Sequence, residues 1–354
     1  MKKTLKFWKG KRVFITGHTG FKGSWLCIIL NLLKSKIYGF SLKPEKKSLF
    51  NEAKIIKFLK SNTFSDINNI STLKKKIKSA KPQIIFHLAA QSLVLKSYKN
   101  PVETFKTNIM GTVNLLNCIR DVNSVKSVVI VTTDKVYKIQ KKTKIFKESD
   151  ALGGFDPYSS SKVGAEIVTE SYIKSFFEKN NIKKNISSAR SGNVIGGGDY
   201  SKNRLMPDIV KAINKKNKIV LRNPNHVRPW QHVMEPLIGY LTLAKKQFNK
   251  NIQTKNKSWN FGPKKENFKR VIDVIKMIQS YKKIRYKIGN KSEQKETRVL
   301  RLNSSKANKI LKWSSLMNLD KSIKKTLEWN ELAKKGIPKK KICENQFLMY
   351  IKNQ

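Results

Sequence analysis

The chain has 354 residues, of which 39% are hydrophobic, enough apolar content for a folded protein of one or two domains. Its 75 lysine and arginine residues outnumber 23 aspartates and glutamates, which gives a net charge of +52. Because the lysines are spread evenly and no nucleic-acid-binding motif accompanies them, we expect no nucleic-acid partner, although such a charge attracts anionic substrates.

The first predicted elements are an apolar strand over residues 11–16 and an apolar helix over 24–33, joined by glycines at 17, 20 and 23. In such a turn Gly17 permits the sharp bend, Gly20 lets backbone N–H groups approach a pyrophosphate, and Gly23 allows close packing of helix and strand. The N-terminus of the helix adds a partial positive charge. The pattern therefore predicts a dinucleotide-binding site.

Strand-like and helical segments alternate through the first half of the chain. Further strands are predicted over residues 37–40, 63–65, 84–88, 127–132 and 186–195, with helices near 49–59 and over 71–79, 102–120 and 158–177. Alternation with short connections predicts an α/β fold, a Rossmann-type doubly wound parallel sheet covered by helices on both faces. Ligands then bind at the carboxyl ends of the strands.

The alternation changes after residue 195. A helix over 206–214, a strand over 219–222, a helix over 230–246 and a strand over 259–261 are predicted, and 249–257 is a candidate for a mobile loop. We expect residues 1–195 to form the dinucleotide-binding domain, with 229–262 returning to it. Residues 196–228 and 263–354 would form a smaller, discontinuous α/β cap that binds the substrate.

Two groups of polar residues follow predicted strands. Tyr158 and Lys162 are four residues apart on a predicted helix and therefore share one face. An ammonium beside a phenol favours the phenolate, so we expect Lys162 to lower the pKa of Tyr158. Thr133 and Asp134 lie at the end of the fifth strand. In isolation that pair could simply bond its own backbone, but its position opposite Tyr158 favours catalysis.

These motifs occur in the order glycine turn, His87-Leu88-Ala89-Ala90-Gln91, Thr133-Asp134-Lys135, and Tyr158 with Lys162. That order resembles the extended short-chain dehydrogenases/reductases that act on nucleotide sugars. Residues 17–26, 152–158, 192–199, 222–224 and 228–233 narrow the resemblance to CDP-glucose 4,6-dehydratases, over about residues 7–327.

The resemblance implies a lyase that binds NAD and CDP-glucose and works in deoxysugar and surface-polysaccharide biosynthesis. Tyr158, supported by Lys162, would deprotonate the 4-hydroxyl while NAD takes hydride from C4. Water would leave across C5–C6, and the hydride would return to C6. Thr133 would bond O4, and Asp134 and Lys135 would carry the elimination. A cationic Lys135 would keep Asp134 ionised, so the sequence leaves their protonation roles open.

The resemblance also implies two sets of binding residues. Those for NAD are Gly17, His18, Thr19, Gly20, Phe21, Lys22, Gly23, Ser41, Asp66, Ile67, Leu88, Ala89, Ala90, Gln91, Asn108, Thr132, Tyr158 and Lys162. Those for the nucleotide sugar are Gln91, Ser92, Thr133, Arg190, Asn193, Arg204, Arg222, Arg228 and Arg298. No acid follows the second strand to bind a ribose, so NAD over NADP depends on the resemblance alone, and Lys43 could accept a 2′-phosphate.

Other functions remain open at this point, among them a 4,6-dehydratase that acts on another nucleotide sugar. An epimerase on the same fold would share the glycine turn and Tyr158 with Lys162 but would need no elimination pair, so Asp134 and Lys135 favour a dehydratase. A catalytically inactive protein that binds a cofactor or nucleic acid is disfavoured by the intact Thr133, Tyr158 and Lys162.

The remaining expectations concern metals, membranes and assembly. The histidines and cysteines lack the spacing of a metal site, so we expect none. No leader or membrane-spanning segment is recognisable, which predicts a cytoplasmic protein without a membrane partner. In the family that the chain resembles, the helices predicted over 102–120 and 158–177 often form a subunit interface. We therefore expect a homo-oligomer, a dimer or a tetramer.

Overall fold

The computed structural model describes residues 6–139, 144–178, 184–249, 257–289 and 297–352. Its strands are β1 Arg12–Thr16, β2 Lys36–Ser41, β3 Ser61–Phe64, β4 Ile84–His87, β5 Ser127–Val131, β6 Asn185–Ser191, β7 Val194–Ile195, β8 Lys218–Leu221, β9 Val227–Pro229, β10 Gln231–His232, β11 Ser258–Phe261, β12 Phe268–Arg270 and β13 Arg285–Ile288.

Helices alternate with the strands of the first half and cluster again at the C-terminal end. The α-helices are α1 Phe21–Leu32, α2 Leu49–Glu52, α3 Ile70–Ala80, α4 Val94–Lys99, α5 Pro101–Phe105, α6 Gly111–Cys118, α7 Pro157–Tyr172, α8 Leu205–Lys215, α9 Met234–Phe248, α10 Val271–Gln279, α11 Leu319–Lys334 and α12 Lys339–Lys352. Short 3₁₀ turns cover Ile55–Phe58, Asp134–Val136 and Lys265–Asn267, and a π turn covers Ala307–Leu311.

Seven strands form one sheet in the order β11-β6-β5-β4-β1-β2-β3. Every neighbouring pair is parallel, and β4 and β5 are buried along their whole length. Central parallel strands are covered on both faces, which explains their unbroken apolar sequences. The predicted fold class, a Rossmann-type doubly wound sheet with a smaller α/β cap, is confirmed.

The two faces of the sheet have separate cores. Val13 and Ile15 of β1 pack with apolar side chains of α1, α9 and α12, whereas Phe14 packs with those of α3 and α6. Successive residues of a strand point to opposite faces, so one strand contributes to both cores. A third core joins α8, α10, α11 and β8, and it forms the cap beside the strand ends.

Several predicted elements differ from the structure. The predicted strand over 186–195 is two strands, β6 and β7, separated at Gly192 and Asn193. The helix predicted to begin at Trp230 begins at Met234, because β10 pairs in parallel with β7 before it. The segment near 49–59 breaks into two short helices at Lys54, whose φ of 51° cannot continue a helix.

The two long predicted helices are both interrupted. A π turn over Lys106–Met110 joins α5 to α6, and another over Ile173–Phe177 ends α7. Helix α4 was not predicted, and the candidate mobile loop at 249–257 lies for the most part outside the described residues.

The C-terminal end is placed differently from the predicted domain division. Helix α12 lies in the segment assigned to the cap, but Ile342, Phe347 and Ile351 share a core with α1. Strand β11 lies beside β6 in the central sheet. We therefore propose that residues 339–352 belong with the dinucleotide-binding layer rather than with the cap.

Candidate active site

A cleft of about 1370 Å³ opens at the carboxyl ends of the parallel strands. One wall is formed by the glycine turn after β1 and by the loops that follow β2, β4 and β5. The opposite wall is formed by residues of the segment from Ser191 to Trp230, which contains α8 and β8. The cleft therefore lies between the central sheet and the cap.

The glycine turn leaves no room for side chains at two of its three glycines. Gly17 has a φ of +73°, and a Cβ there would lie 2.6 Å from the backbone nitrogen of Ala89. A Cβ on Gly23 would lie 2.2 Å from the carbonyl oxygen of Gly17. Helix α1 begins after Gly20 without a side-chain cap and without an acid in its first turn. This cradle and the uncapped helix start fit a pyrophosphate.

The same wall continues along the ends of β2 to β4. Ser41, Asp66, Ile67, Leu88, Ala89 and Ala90 line it, as does Thr19. Thr19 and Ser41 are joined by a hydrogen bond of 2.8 Å between their hydroxyl oxygens. The structure thus brings the side chains predicted for the adenosine half of a dinucleotide to one side of the cleft.

Tyr158 and Lys162 project into the cleft from the first turns of α7. Asp156 caps this helix by accepting a bond from the Ser159 backbone nitrogen at 3.0 Å. The Tyr158 hydroxyl shares a hydrogen bond with the side chain of Thr133. The Lys162 ammonium donates to the carbonyl oxygen of Val131 at 3.1 Å. Strand β5 and α7 therefore meet at the phenol.

The predicted direction of the Tyr158 pKa is wrong for this environment. Burial raises the pKa of Tyr158 to about 12, and the bond with Thr133 and the charge of Arg204 offset only part of that effect. Burial also lowers the pKa of Lys162 to about 8, against the attraction of Glu166. Desolvation disfavours both charged forms, which spacing along a helix cannot reveal.

Asp134 lies at the end of β5 with its side chain buried. Its Oδ1 accepts a hydrogen bond from the Thr133 hydroxyl at 3.1 Å. Burial raises the pKa of Asp134 despite the cationic Lys135 and Arg228 beside it. Burial thus outweighs the effect of Lys135 on this carboxyl, in the direction that a proton donor needs. Lys135 itself lines the cleft and is half-buried.

Lys22 also reaches the catalytic end of the cleft. Its ammonium donates to the Ser191 hydroxyl at 2.8 Å, and that hydroxyl also bonds the hydroxyl of Tyr240 at 2.9 Å. Burial, together with the charges of Arg204 and Lys162, lowers the pKa of Lys22 to about 7. In the sequence, Lys22 stands out only as a member of the glycine motif. A charged residue near the start of an otherwise apolar helix is the one sequence feature that indicates a role for Lys22 in the site.

The cap wall supplies polar side chains from a short stretch of chain. Asn193, Arg204, Arg222 and Arg228 line the cleft, as predicted from the resemblance. Arg204 pairs with Asp199 at 3.1 Å and donates to the Ser92 hydroxyl at 3.1 Å, across the cleft. Three guanidinium groups on one wall suit a diphosphate.

Arg190 does not belong to this set. Its guanidinium forks onto Glu166 with two bonds of 2.9 Å and donates to the Tyr137 hydroxyl at 2.9 Å. The side chain is buried beneath the cleft and does not line it. The prediction that Arg190 binds substrate is therefore wrong, because its donors are already used within the protein.

Four other predicted binding residues lie outside the lining of the cleft. The Gln91 side chain donates to Leu93 and Thr104, and Asn108 bonds both the backbone nitrogen and oxygen of Gln91. These two amides shape the loop after β4. His18 is buried against Gly39 and bonds Asn62 at 2.6 Å. Arg298 is exposed and does not line the cleft, although its backbone oxygen accepts a bond from Arg228.

Two tryptophans fix the loop that leads to Asp199. The Trp25 indole donates to the carbonyl oxygen of Gly197 at 2.9 Å. A Cβ on Gly197 would lie 2.0 Å from the ring of Trp329, so only glycine fits between them. Trp329 belongs to α11, which therefore supports the cap wall from behind.

The described residues contain no group of histidine, cysteine or acidic side chains that could hold a metal ion. Within those ranges, every helix falls short of the length and apolar character that crossing a membrane requires.

Known proteins with similar sequences include nucleotide-sugar dehydratases. The model of the family described as GDP-mannose 4,6 dehydratase matches residues 14–326. A CDP-glucose 4,6-dehydratase of Salmonella typhimurium is 39% identical over 336 residues, which are 93% of this chain and 93% of that one. A human dTDP-D-glucose 4,6-dehydratase is 27% identical, over 90% of this chain and 89% of its own length.

Solved structures are similar over nearly the whole fold. A dTDP-glucose 4,6-dehydratase of Bacillus anthracis in complex with NAD superposes with a TM-score of 0.74 at 25% identity, covering 90% of this chain and 96% of that one. A UDP-glucose 4-epimerase of Thermotoga maritima gives 0.75 at 19% identity, covering 91% and 99%. The latter similarity concerns the fold alone.

Proposed function

The chain belongs to the GDP-mannose 4,6 dehydratase family, and we propose that it is the hydro-lyase that converts CDP-glucose into CDP-4-keto-6-deoxyglucose and water. The observation that carries this assignment is the 39% identity to the Salmonella dehydratase over 93% of both chains. The cleft supports it independently, because it combines a dinucleotide cradle with a phenol, an acid and an amine.

NAD is the cofactor of this activity, and the residues present fit it. Gly17, Gly20 and Gly23 would hold its pyrophosphate at the start of α1, and Ser41, Asp66 and Ile67 would flank its adenosine half. When bound, NAD supplies a hydride acceptor for C4 of the sugar and a donor for C6, so the cycle needs no external oxidant. The remaining chemistry is proton transfer by side chains.

Tyr158 removes the proton from the 4-hydroxyl, and Thr133, bonded to it, positions the oxygen. A phenol with a pKa near 12 is a poor base at neutral pH, so it needs cationic neighbours in the loaded site. Lys162 and Lys22 supply such charge when protonated, and their lowered pKa values place that protonation near neutrality.

Asp134 and Lys135 carry the elimination. Once C4 is a ketone, the neighbouring C5 proton is acidic, and we assign its removal to Lys135, which must first lose its own proton. Asp134, whose pKa burial raises, gives a proton to the departing 6-hydroxyl, so that water leaves. The acid and the amine are adjacent in sequence and both line the cleft, which lets them act on neighbouring carbons.

The cap arginines would hold the CDP part of the substrate. Arg204, Arg222 and Arg228 line the cleft, and a diphosphate accepts bidentate bonds from guanidinium groups. The Arg228 guanidinium also donates to two backbone oxygens and bonds His226, so it would have to exchange some of these bonds for substrate. Ser92 and Asn193 add neutral polar contacts on the two walls.

The test is a comparison of substrates in the presence of NAD. We expect CDP-glucose to give a product that is lighter by one water, with a 4-keto-6-deoxy sugar in its NMR spectrum and no net formation of NADH. Efficient conversion of dTDP- or GDP-glucose with CDP-glucose untouched would change the substrate assignment. A C4 epimer as product would replace the dehydratase assignment by an epimerase.

We also propose that the protein forms a homo-oligomer through α5, α6 and α7. The exposed side chains there include Val102, Met110 and Ile167, with exposed fractions of 78%, 47% and 59%. Exposed apolar side chains on adjacent helices are typical of a subunit interface. Light scattering of wild type and of Ile167→Glu tests this, and a monomeric wild type would refute it.

A further inference from the structure

The turn that carries Asp134 and Lys135 is held at both of its ends. Before it, the Thr132 hydroxyl donates to a carboxylate oxygen of Glu166 at 2.5 Å. After it, the Tyr137 hydroxyl accepts a bond from Arg190 at 2.9 Å. Glu166 and Arg190 are themselves joined by two bonds of 2.9 Å. One buried ion pair thus contacts both ends of the turn.

The pair is fixed in place by the elements around it. Glu166 lies on α7, one helical turn after Lys162, and it also accepts a bond of 2.5 Å from Ser188 of β6. The Arg190 guanidinium lies over the Tyr137 ring, 5.0 Å from its centre. Tyr137 in turn donates to Asn260 of β11 at 2.6 Å. The network therefore joins α7, β5, β6 and β11.

The charges of the pair are permanent at the pH of the cell. Burial alone would raise the pKa of Glu166, but the ion pair with Arg190 and the bonds from Ser188 and Thr132 hold that pKa below its usual value. Because all four bonds to the carboxylate come from fixed groups, the carboxylate has a single orientation. It therefore fixes the distance between α7 and the end of β5.

We propose that the Glu166–Arg190 pair is a positioning unit that aligns the elimination groups, Asp134 and Lys135, with the redox groups, Tyr158 and Lys162. This proposal rests on the proposed function. The redox groups sit on α7 and the elimination groups on the turn, so the two halves of the reaction share one sugar only if helix and turn keep their spacing. Neither residue of the pair touches the cleft.

The first experiment measures the turn directly, without cofactor or substrate. Tyr137→Phe removes the bond from Arg190 at one end of the turn, together with the bond to Asn260, and keeps Glu166, Arg190 and α7 in the chain. We expect amide hydrogen exchange over residues 133–137 to increase about tenfold, the effect of losing one bond to a charged group, with no change over α7. The control is Tyr350→Phe, which removes a 2.7 Å bond to buried Glu235 far from the turn.

The second experiment separates the two halves of the reaction. With CDP-glucose and NAD, we expect Tyr137→Phe and Arg190→Lys to slow release of water about tenfold more than oxidation at C4. Reduced cofactor then accumulates during turnover, and deuterium from solvent enters C5 more slowly. Arg190→Lys keeps the charge but cannot bond both Glu166 and Tyr137 at once.

Two results would overturn the proposal. One is unchanged hydrogen exchange over 133–137 in Tyr137→Phe. The other is an equal loss of both half-reactions, accompanied by a lower melting temperature like that of the control. If the wild-type protein fails to convert CDP-glucose while the exchange result is as expected, the proposed substrate is wrong. The conclusion that the Glu166–Arg190 pair holds the turn is then unaffected.

Discussion

A Cβ atom on Gly23 would lie 2.2 Å from the carbonyl oxygen of Gly17, inside the turn that joins β1 to α1. We therefore expect Gly23→Ala to lower the free energy of unfolding by about 1–3 kcal/mol, because backbone must move to admit the methyl group. NAD affinity should fall with it. Chemical denaturation and calorimetric titration measure the two quantities.

Gly20→Ala is the matched variant. A Cβ there would be 3.4 Å from the same oxygen, an ordinary contact, and Gly20 has a φ of −73° that alanine adopts freely. We expect its stability to equal that of wild type while NAD binds more weakly. Equal destabilisation by both variants would contradict the packing account of the turn.

Tyr158→Phe tests the base. We expect kcat on CDP-glucose to fall about 100- to 10,000-fold, the usual contribution of a general base, with NAD affinity and melting temperature retained. Tyr172→Phe, at the far end of the same helix, is the control and should keep its activity. If Tyr158→Phe kept wild-type kcat, another group would have to take the 4-hydroxyl proton.

The lowered pKa values of Lys22 and Lys162 predict how the free energy of unfolding depends on pH. Burial lowers their pKa values to about 7 and about 8, from 10.5, so the unfolded chain binds more protons than the folded chain between these limits. Stability of the cofactor-free protein should therefore rise with pH, from about 7 for Lys22 and about 8 for Lys162 up to about 10, each lysine adding at most about 1.4 kcal/mol per pH unit.

Lys22→Met should remove the contribution of Lys22 to that slope. The exposed Lys75→Met is the control and should leave the slope as it is. Urea denaturation at several pH values measures both. A slope that Lys22→Met leaves unchanged would show that Lys22 is solvated in the folded protein.

Arg204→Lys tests the substrate wall. Lysine keeps the charge but loses the planar fork, so we expect KM for CDP-glucose to rise about tenfold or more with NAD affinity unchanged. Arg298→Lys is the control, because Arg298 does not line the cleft. An equal effect of the two substitutions would mean that Arg298 reaches the substrate in the bound state.

The central sheet and the positions of Gly17, Thr133 and Tyr158 could be predicted because local pattern determines them. Gly17 and Thr133 follow the apolar strands β1 and β5, parallel strands bring their carboxyl ends to one edge, and Tyr158 lies in the first turn of the helix that comes after β5. The local sequence pattern does not predict which long side chains reach that edge of the sheet. Lys22 does, although it lies on α1, and Gln91 does not, although its neighbours Ala90 and Ser92 do.

Arg190 shows why such assignments fail. It lies three residues before Asn193, which lines the cleft, so its place in the sequence favours a substrate role. Its true partner, Glu166, is 24 residues away on another element, and no spacing rule connects them. The pKa of Tyr158 was misjudged for a related reason, since desolvation depends on everything packed around a group and not on its nearest charged neighbour.

The contact of Trp329 with Gly197 links helix α11 to the loop that leads to the cap wall of the cleft. The contact at Gly197 positions the loop that leads to Asp199, and Asp199 forms an ion pair with the Arg204 guanidinium. Truncation of the protein before Leu319 should therefore weaken the binding of a diphosphate, although the glycine turn stays in the polypeptide.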